Sequence, residues 1–243
     1  MMLFAAAATG GLLAALFAGA VLVTCVYRSC GVRRLLSGLR EKQIILTFDD
    51  GPQESSTPAV LDVLRQNDVH ALFFVTAERA RQCPELIRQM QAEGHQIGLH
   101  GLAHRNPWLW GLFPGYAHRE ITEGIDILHS LGVSPRYFRP AWGRLSPFSA
   151  LYARRAGLRF FFWNVMAEDW ESNATAFSID QRLRARRGSK AVICLHDAFH
   201  HGASKAPLRM VAALRQFIPA ALAQGWQFIL PDPVAPVSCQ EAA

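Results

Sequence analysis

The sequence has few cysteines and no cysteine pattern. Its 243 residues include five cysteines, none of them in a C-x-x-C pair. An odd number of cysteines without paired spacing does not resemble a disulfide framework, and the missing C-x-x-C unit argues against a zinc knuckle. The formal charge of +6 is accompanied by no recognised nucleic-acid module, so nucleic acid is not an expected partner. A chain of this length suits one domain of ordinary size with an appendage.

Charge is absent from the beginning of the chain. Between Leu3 and Tyr27 there is no charged residue, and most positions are Ala, Leu, Val, Phe or Gly. About 20 apolar residues are enough to cross the ~30 Å hydrocarbon core of a bilayer, so residues 1–27 are predicted to form one transmembrane helix. A cleaved signal peptide is the alternative, but no basic residue precedes the apolar stretch, which favours an uncleaved anchor.

Basic residues are concentrated directly after the predicted span. This segment contains one acidic residue, Glu41, and five basic residues: Arg28, Arg33, Arg34, Arg40 and Lys42. Because Lys and Arg beside a span tend to remain cytoplasmic, we expect a single-pass protein whose body, from residue 44 onwards, lies on the cytoplasmic side of the membrane. The periplasmic or extracellular side is the alternative. Residues 28–43 are interpreted as a basic juxtamembrane linker, which also suits contact with anionic headgroups.

Short apolar runs alternate with helical patterns from residue 44 to residue 232, with no internal domain boundary, and residues 233–243 form a tail. This alternation predicts an α/β fold with a mainly parallel sheet covered by helices. Seven or eight such units can close into a distorted (β/α)7–8 barrel, and an open doubly wound sheet is the alternative. The predicted strands are Ile44–Phe48, Ala71–Val75, Gln96–Leu99, Tyr137–Phe138, Leu158–Val165, Ala191–Leu195 and Trp226–Leu230.

Polar residues suited to chemistry follow five of these predicted strands. In a β/α barrel the carboxyl ends of the strands meet on one face, which is where active sites are built. Five such ends are hard to explain by packing, so we expect one site on that face. The residues are Asp49, Asp50, His100, Arg139, Asp169 and His196.

Two histidines suggest a metal centre. His100 and His104 have i, i+4 spacing, which can bring two imidazoles to one ion. With Asp50 they form a two-histidine, one-carboxylate set that leaves positions open for water and substrate. We expect a divalent ion, Zn²⁺ first, with Co²⁺, Ni²⁺, Mn²⁺ or Fe²⁺ able to use the same ligands. Because such an ion lowers the pKa of bound water and polarises a carbonyl oxygen, the set predicts a hydrolase.

The remaining polar residues suit proton transfer. Asp49 can accept the proton of an attacking water, provided that a counter-charge such as Arg139 keeps it ionised. His196 suits protonation of a departing amine near neutral pH, and Asp169 could orient it and keep it protonated. Taken singly, each residue also has a structural interpretation as a turn former or a solvated loop residue.

Five motifs, in this order along residues 44 to 230, resemble those of the polysaccharide deacetylase family, also known as carbohydrate esterase family 4. They are Thr47-Phe48-Asp49-Asp50-Gly51-Pro52, His100-x-x-x-His104, Arg139-Pro140-Ala141-Trp142-Gly143, Asp169-Trp170 and Ile193-Cys194-Leu195-His196-Asp197.

The resemblance implies a distorted β/α barrel that hydrolyses N-acetyl, sometimes O-acetyl, groups on sugars, with the base, acid and metal ligands given above. It further implies that the backbone N–H of Trp142 joins the metal in holding the oxyanion. Trp170 and Leu195 would wall the pocket for the acyl methyl group. Departures from the family pattern remove no group that this mechanism needs, but they bear on loop shape and on which sugar is bound: Gly101, Arg105, Ala141 and Met166.

An uncharged stretch from Asn106 to Tyr116 follows the second metal histidine and contains four aromatic residues. Trp and Tyr favour the membrane interface, so this loop and the predicted anchor suggest an amino-sugar substrate carried on a lipid. A loop folded onto the barrel is the alternative interpretation. The arginines from Arg182 to Arg187 could meet a phosphate of such a lipid.

Other functions stay open on the sequence alone. An extracytoplasmic deacetylase acting on cell-wall or exopolysaccharide amino sugars would use the same centre, and the acyl group is acetyl or formyl. A non-catalytic carbohydrate-binding membrane protein requires a decayed metal site. An iron oxygenase with two histidines and one carboxylate would have no use for Asp49 and His196, and such ligands usually lie on an all-β scaffold.

Overall fold

A computed structural model of the protein describes residues 2–199 and 206–231, so the predicted tail 233–243 lies outside the described residues. The chain begins with helix α1 (Met2–Gly38). Within the described residues, the segment Ala14–Gly38 of this helix is long and apolar enough to cross a membrane, a property that a transmembrane span and a signal sequence share.

Parallel strands form the sheet of the body. They are β1 (Gln43–Asp49), β2 (Leu72–Val75), β3 (Gln96–Leu99), β4 (Tyr137–Phe138), β5 (Arg159–Phe160), β6 (Val165–Met166), β7 (Lys190–His196) and β8 (Gln227–Phe228). Their order is β5-β4-β3-β2-β1-β7-β6, and β8 pairs with the first residues of β1. Within residues 2–199 and 206–231 no pairing joins β5 to β6, so the barrel is half open. The predicted parallel β/α architecture is confirmed.

Helices cover the sheet and follow the predicted pattern closely. They are α2 (Thr57–Gln66), α3 (Ala77–Gln82), α4 (Pro84–Ala92), α5 (Pro114–Ser130), α6 (Pro147–Arg155), α7 (Ala176–Arg186) and α8 (Ala206–Ala223). At the start of α2 the Thr57 hydroxyl donates a hydrogen bond to Asp197 at 2.5 Å, which ties this helix to the end of β7.

The aromatic segment predicted as one strand over Leu158–Val165 is two short strands. Phe161 donates its backbone N–H to the Phe138 carbonyl on one side of the barrel. Three residues later, Asn164 donates its backbone N–H to the Val192 carbonyl on the other side. The chain therefore crosses the open gap between β5 and β6. A segment that changes its hydrogen-bonding neighbour in this way cannot continue as one strand.

The central strands are buried on both faces, as parallel strands between helices must be. The last six residues of β1 and all four residues of β2 are buried. Burying one such Leu, Ile, Val or Phe side chain contributes about 1.5–3 kcal/mol, so this apolar layer holds the strand ends in place. Those strand ends carry the polar residues predicted to do chemistry.

Helix α1 is docked along the barrel. It passes without a break through the first eleven residues of the predicted 28–43 linker, ending at Gly38. One stripe of it touches the body: Phe17 meets Trp108 edge-on, Tyr27 meets Phe160, and a Cβ built on Gly31 would lie 3.1 Å from the Phe162 ring. The i, i+3 or i+4 spacing of such contacts is that of one helix face.

Thr24 is the polar centre of this contact. Its buried hydroxyl accepts a hydrogen bond from the backbone N–H of Leu145 at 2.8 Å and another from the indole N–H of Trp108 at 3.1 Å. The hydroxyl can donate its own proton to the carbonyl oxygen of Ala20, at 2.8 Å, or to that of Leu145, at 2.9 Å. Because buried polar groups are costly when unpaired, this arrangement specifies how α1 sits on the barrel.

Candidate active site

The strand register brings the predicted site residues together. Asp49 of β1 lies directly opposite His196 of β7. Leu99 of β3 pairs with Phe138 of β4, so the residues that follow these strands, His100 and Arg139, are also neighbours. The carboxyl ends of parallel strands thus meet on one face, as expected for this architecture.

Asp50, His100 and His104 form the candidate metal centre. The Asp50 Oδ1 atom lies 3.3 Å from Nε2 of His100 and 3.2 Å from Nε2 of His104. One potential ligand atom from each residue lies within 4.8 Å of the other two. Burial acts to raise the pKa of Asp50, but the hydrogen bond from His100 and the charges of His196, His104 and His100 hold it below its usual range. The carboxylate is therefore ionised, as a ligand must be.

The environment of His100 tests whether this set fits a metal ion. Its Nδ1 atom lies 2.7 Å from the carbonyl oxygen of Arg139. A carbonyl can only accept, so Nδ1 carries a proton and Nε2 is the atom left to bind an ion. Nε2 lies 3.3 Å from Asp50 Oδ1, and a bound ion would take the place of the proton that His100 donates to Asp50. A backbone carbonyl behind a ligating histidine is a typical supporting contact in metal sites. The donor set and the tautomer both fit a divalent ion.

Asp49, although adjacent to Asp50 in sequence, has different partners. Arg139 is fully buried and donates from its guanidinium to Asp49 Oδ1 at 2.5 Å and to the Thr47 hydroxyl at 2.7 Å. The Cys194 thiol donates to Asp49 Oδ2 at 3.3 Å. The predicted counter-charge is therefore in contact with the predicted base. The left-handed φ of +77° at Asp50 lets two consecutive carboxylates face different partners.

His196 and Asp169 form the other predicted pair. The Asp169 carboxylate accepts from Nδ1 of His196 at 3.0 Å and from its backbone N–H at 2.9 Å. Burial disfavours the imidazolium, but the charge and hydrogen bond of Asp169, followed by the charges of Asp50 and Asp49, outweigh it and raise the pKa of His196 to about 10. His196 is thus protonated at neutral pH, with Nε2 on the cavity side of the ring.

A second group of potential metal ligands consists of Asp49, Cys194 and His196. Burial, and then the charge of Asp49, raise the pKa of the Cys194 thiol well above its ordinary value, so it is not a thiolate. A protonated imidazole and a thiol have no lone pair suited to a cation. The ion is therefore expected between Asp50, His100 and His104.

The two groups open into one cavity of about 520 Å³. Besides five of the predicted polar residues, it is lined by Trp142 and Trp170, and the Trp142 ring lies 4.1 Å from the His104 ring between centroids, tilted by 49°. Leu195 does not line it: its side chain is fully buried in the core. The roles given to Trp142, Trp170 and Leu195 stay predictions.

Several lining residues were not predicted as site residues: Arg28, Arg144, Trp163, Met166 and Phe199. Arg144 directly follows the Trp142-Gly143 motif, so proximity to that motif was a usable signal. Arg28 lies on α1, more than 20 residues before Asp49, and the basic cluster that contains it indicated contact with headgroups rather than a place in the cavity.

Gly101, one of the departures from the family pattern, has a structural reason. Its φ is +92°, and a Cβ built on it would lie 2.3 Å from the Oε1 atom of Glu120. Burial raises the pKa of Glu120 to about 7, against the hydrogen bond from Tyr116. A buried carboxyl on α5 therefore occupies the space where a serine or threonine side chain would stand.

Comparison with known proteins agrees with this geometry. The family model described as Polysaccharide deacetylase matches residues 37–161, just over half of the chain. The chain belongs to the polysaccharide deacetylase family. A chitooligosaccharide deacetylase from Bradyrhizobium sp. (strain ANU 289) is 34% identical over 200 residues, which cover 79% of this chain and 89% of that protein. A peptidoglycan-N-acetylglucosamine deacetylase from Bacillus cereus is 31% identical over 191 residues, which cover 78% and 86%.

Solved structures show the same fold. The crystal structure of the Bc1960 peptidoglycan N-acetylglucosamine deacetylase superposes with a TM-score of 0.71 at 29% identity, covering 78% of this chain and 86% of that one. A family 4 carbohydrate esterase from Streptomyces lividans, in complex with acetate, gives a TM-score of 0.66 at 29% identity, covering 75% and 89%. The predicted class, a hydrolase of carbon–nitrogen bonds of the carbohydrate deacetylase type, is confirmed.

Proposed function

We propose that this enzyme removes an N-acyl group, acetyl or formyl, from an amino sugar carried on a lipid at the membrane surface, with Zn²⁺ as the metal. The observation that carries the proposal is the position of α1. The uncharged stretch of α1 is predicted to span the bilayer, and Arg28, which directly follows that stretch, lines the catalytic cavity.

Helix length supports a cavity close to the membrane. Contacts of α1 with the barrel are described from Phe17 onwards. The preceding stretch, from Leu3 to Leu16, is about 21 Å long at the rise of an α-helix. The hydrocarbon core is about 30 Å thick, so this stretch alone is too short to cross it. If α1 spans the bilayer, its docked part, and the barrel attached to that part, must therefore lie close to the bilayer surface.

The loop beside α1 supports the same orientation. Leu109, Trp110 and Phe113 are 59%, 40% and 58% exposed. Trp108, in the same loop, packs against Phe17 and the Thr24 hydroxyl of α1. Exposed apolar residues next to a predicted span suit the interfacial layer, where aromatic side chains are favoured.

The residues of the site then divide the reaction between them. Asp50, His100 and His104 would hold the ion, which when bound polarises the amide carbonyl and lowers the pKa of water. Asp49, held by the Arg139 guanidinium, takes a proton from the attacking water. His196, kept protonated by Asp169, gives a proton to the departing amine, which leaves as the free amino sugar. The acyl group leaves as acetate or formate.

The test compares substrates on the full chain, reconstituted with Zn²⁺ in lipid vesicles. An N-acetyl amino sugar linked to a polyprenyl phosphate and a soluble chito-oligomer are supplied at equal concentration, and acetate release is measured. We expect faster turnover of the lipid-linked sugar. Faster turnover of the chito-oligomer would contradict the proposal and favour a polymer substrate.

A second candidate rests on the similarity to the peptidoglycan-N-acetylglucosamine deacetylase of Bacillus cereus. In that function the catalytic domain would lie outside the cytoplasm, against the orientation that the basic flank of α1 favours. A reporter fused after Ala243 separates the two: we expect it to be active on the cytoplasmic side, and activity only outside would support the wall substrate.

A further inference from the structure

The catalytic cavity contains two arginines that the deacetylation chemistry does not use. Arg28 comes from α1 and Arg144 from the segment that follows the Trp142 motif, and both line the cavity that holds Asp49, Asp50 and His196. We propose that Arg28 and Arg144 together form a binding site for an anionic phosphate group on the substrate, next to the acylated sugar. This inference rests on the proposed function and narrows its substrate class to amino sugars that carry a phosphate ester.

The packing of both side chains leaves their hydrogen-bonding edges available. The Arg28 guanidinium lies over the Trp163 ring at 4.8 Å, and that of Arg144 lies over the Trp108 ring at 4.7 Å. Stacking uses the flat face of a guanidinium, while its N–H groups point outwards in the plane, in the fork that suits phosphate oxygens. Among the described residues neither arginine forms an ion pair with a carboxylate.

The other arginines that the sequence offered for this task are engaged with the protein itself. Arg182 pairs with Glu168 and Glu171, Arg184 pairs with Asp180, and Arg186 bonds to Glu168. Arg187 donates a hydrogen bond to the side-chain oxygen of Gln224 at 2.6 Å and lies over the Trp226 ring. For binding a phosphate, the two arginines inside the cavity are therefore better placed than the arginines of this helix.

The electrostatics of the cavity point the same way. Asp49 is paired with the Arg139 guanidinium, and Asp169 is paired with His196, so neither carboxylate leaves an uncompensated negative charge. With a divalent ion on Asp50, two further guanidinium groups make the cavity electropositive. A neutral acetylated sugar gains nothing from that charge, whereas a phosphate ester gains charge-assisted hydrogen bonds.

The test measures kcat/KM for three N-acetyl amino-sugar substrates: a neutral oligomer, a soluble sugar 1-phosphate, and a lipid-linked sugar phosphate in vesicles. Variants Arg28→Gln and Arg144→Gln are compared with Arg28→Lys, which keeps the charge, and with Arg33→Gln, which removes one exposed charge from the same helix outside the cavity. The readout is the ratio of kcat/KM for each phosphate substrate to that for the neutral oligomer.

We expect the ratio to fall about tenfold or more in each Gln variant, for the soluble and the lipid-linked phosphate alike, mainly through KM. Arg28→Lys should recover part of the loss, and Arg33→Gln should leave the ratio unchanged. An unchanged ratio in both cavity variants overturns the site, even if the wild type prefers the lipid-linked substrate. A reduced ratio in an enzyme without that preference keeps the site and overturns the lipid carrier.

Discussion

The catalytic cavity has two halves of different construction. The strand-end half is built from residues at or after the carboxyl ends of β1, β3, β4, β6 and β7, and its charged groups are paired inside the protein: Asp49 with Arg139, His196 with Asp169, Asp50 with two histidines. The helix half is built from α1, the loop around Trp108 and Arg144. Among the described residues, its arginines Arg28 and Arg144 lie over indole rings and form no ion pair with a carboxylate. The first half is organised for chemistry on an amide. The second half is placed to bind the part of the substrate to which the amide is attached.

The largest expected effect comes from replacing the two adjacent carboxylates one at a time. Asp50→Asn should lose both the bound metal and the activity, because a neutral amide is a poor ligand. Asp49→Asn should keep the metal and lose about 10²- to 10⁴-fold in kcat, as expected for a missing general base. Metal analysis and acetate release on the same preparations check this. Metal loss in Asp49→Asn would show that the division of roles is wrong.

The contact between the two halves is tested by Thr24→Val. The change leaves the Leu145 N–H and the Trp108 indole N–H without their acceptor in a buried place, at about 1–3 kcal/mol each. We expect Tm to fall by roughly 4 °C or more. Thr122→Val is the matched control, since within the described part of the chain the Thr122 hydroxyl bonds only to the His118 carbonyl of its own helix. Equal effects of the two changes would argue that α1 is not docked.

The pH dependence tests the strand-end half. His196 must be protonated to act as an acid, so activity is lost as pH rises through its pKa. Asp169 is the main group that raises this pKa, and Asp169→Asn should therefore move the alkaline limb of kcat to lower pH by about one unit or more. The bound ion offsets the contribution of Asp50, so the shift between variants is the quantity to compare. An unmoved limb would exclude His196 as the acid.

The smallest effect is expected in the loop next to α1. Replacing Leu109 and Phe113 by Ser removes exposed apolar surface, so kcat/KM for a vesicle-embedded substrate should fall about three- to tenfold. Phe177→Ser, on α7 and 66% exposed, is the control that changes surface apolarity elsewhere. Similar losses in the control, or on a soluble substrate, would mean that the loop does not face the membrane.

The strand-end half could be predicted from the sequence. Each strand is a short buried apolar run, and the reactive residue comes at its carboxyl end, so a local pattern gives both the strand and the site. The ligand set Asp50, His100 and His104 could be predicted from residue spacing and from the chemistry of the donor atoms alone. The role of Leu195 depends on side-chain direction, which no local pattern gives. Its side chain is fully buried, and its place at the acyl pocket stays a prediction.

The helix half could not be predicted, for physical reasons. A helix that is apolar on every side does not reveal which face packs on a partner. Arg28 belongs to a basic cluster that suggested contact with headgroups, and its stacking on Trp163 joins residues far apart in the chain. The predicted role of Arg182–Arg187 ignored the acidic residues that the fold brings beside them.

The claim that the helix half brings the catalytic cavity to the bilayer surface can be measured by tryptophan quenching. The full chain is reconstituted in vesicles whose lipids carry bromine near the headgroup, and the wild type is compared with Trp110→Phe. We expect strong quenching in the wild type, of which a substantial share disappears in Trp110→Phe, because the exposed Trp110 ring lies in the interface. Quenching that is absent, or identical in the two proteins, would contradict the account.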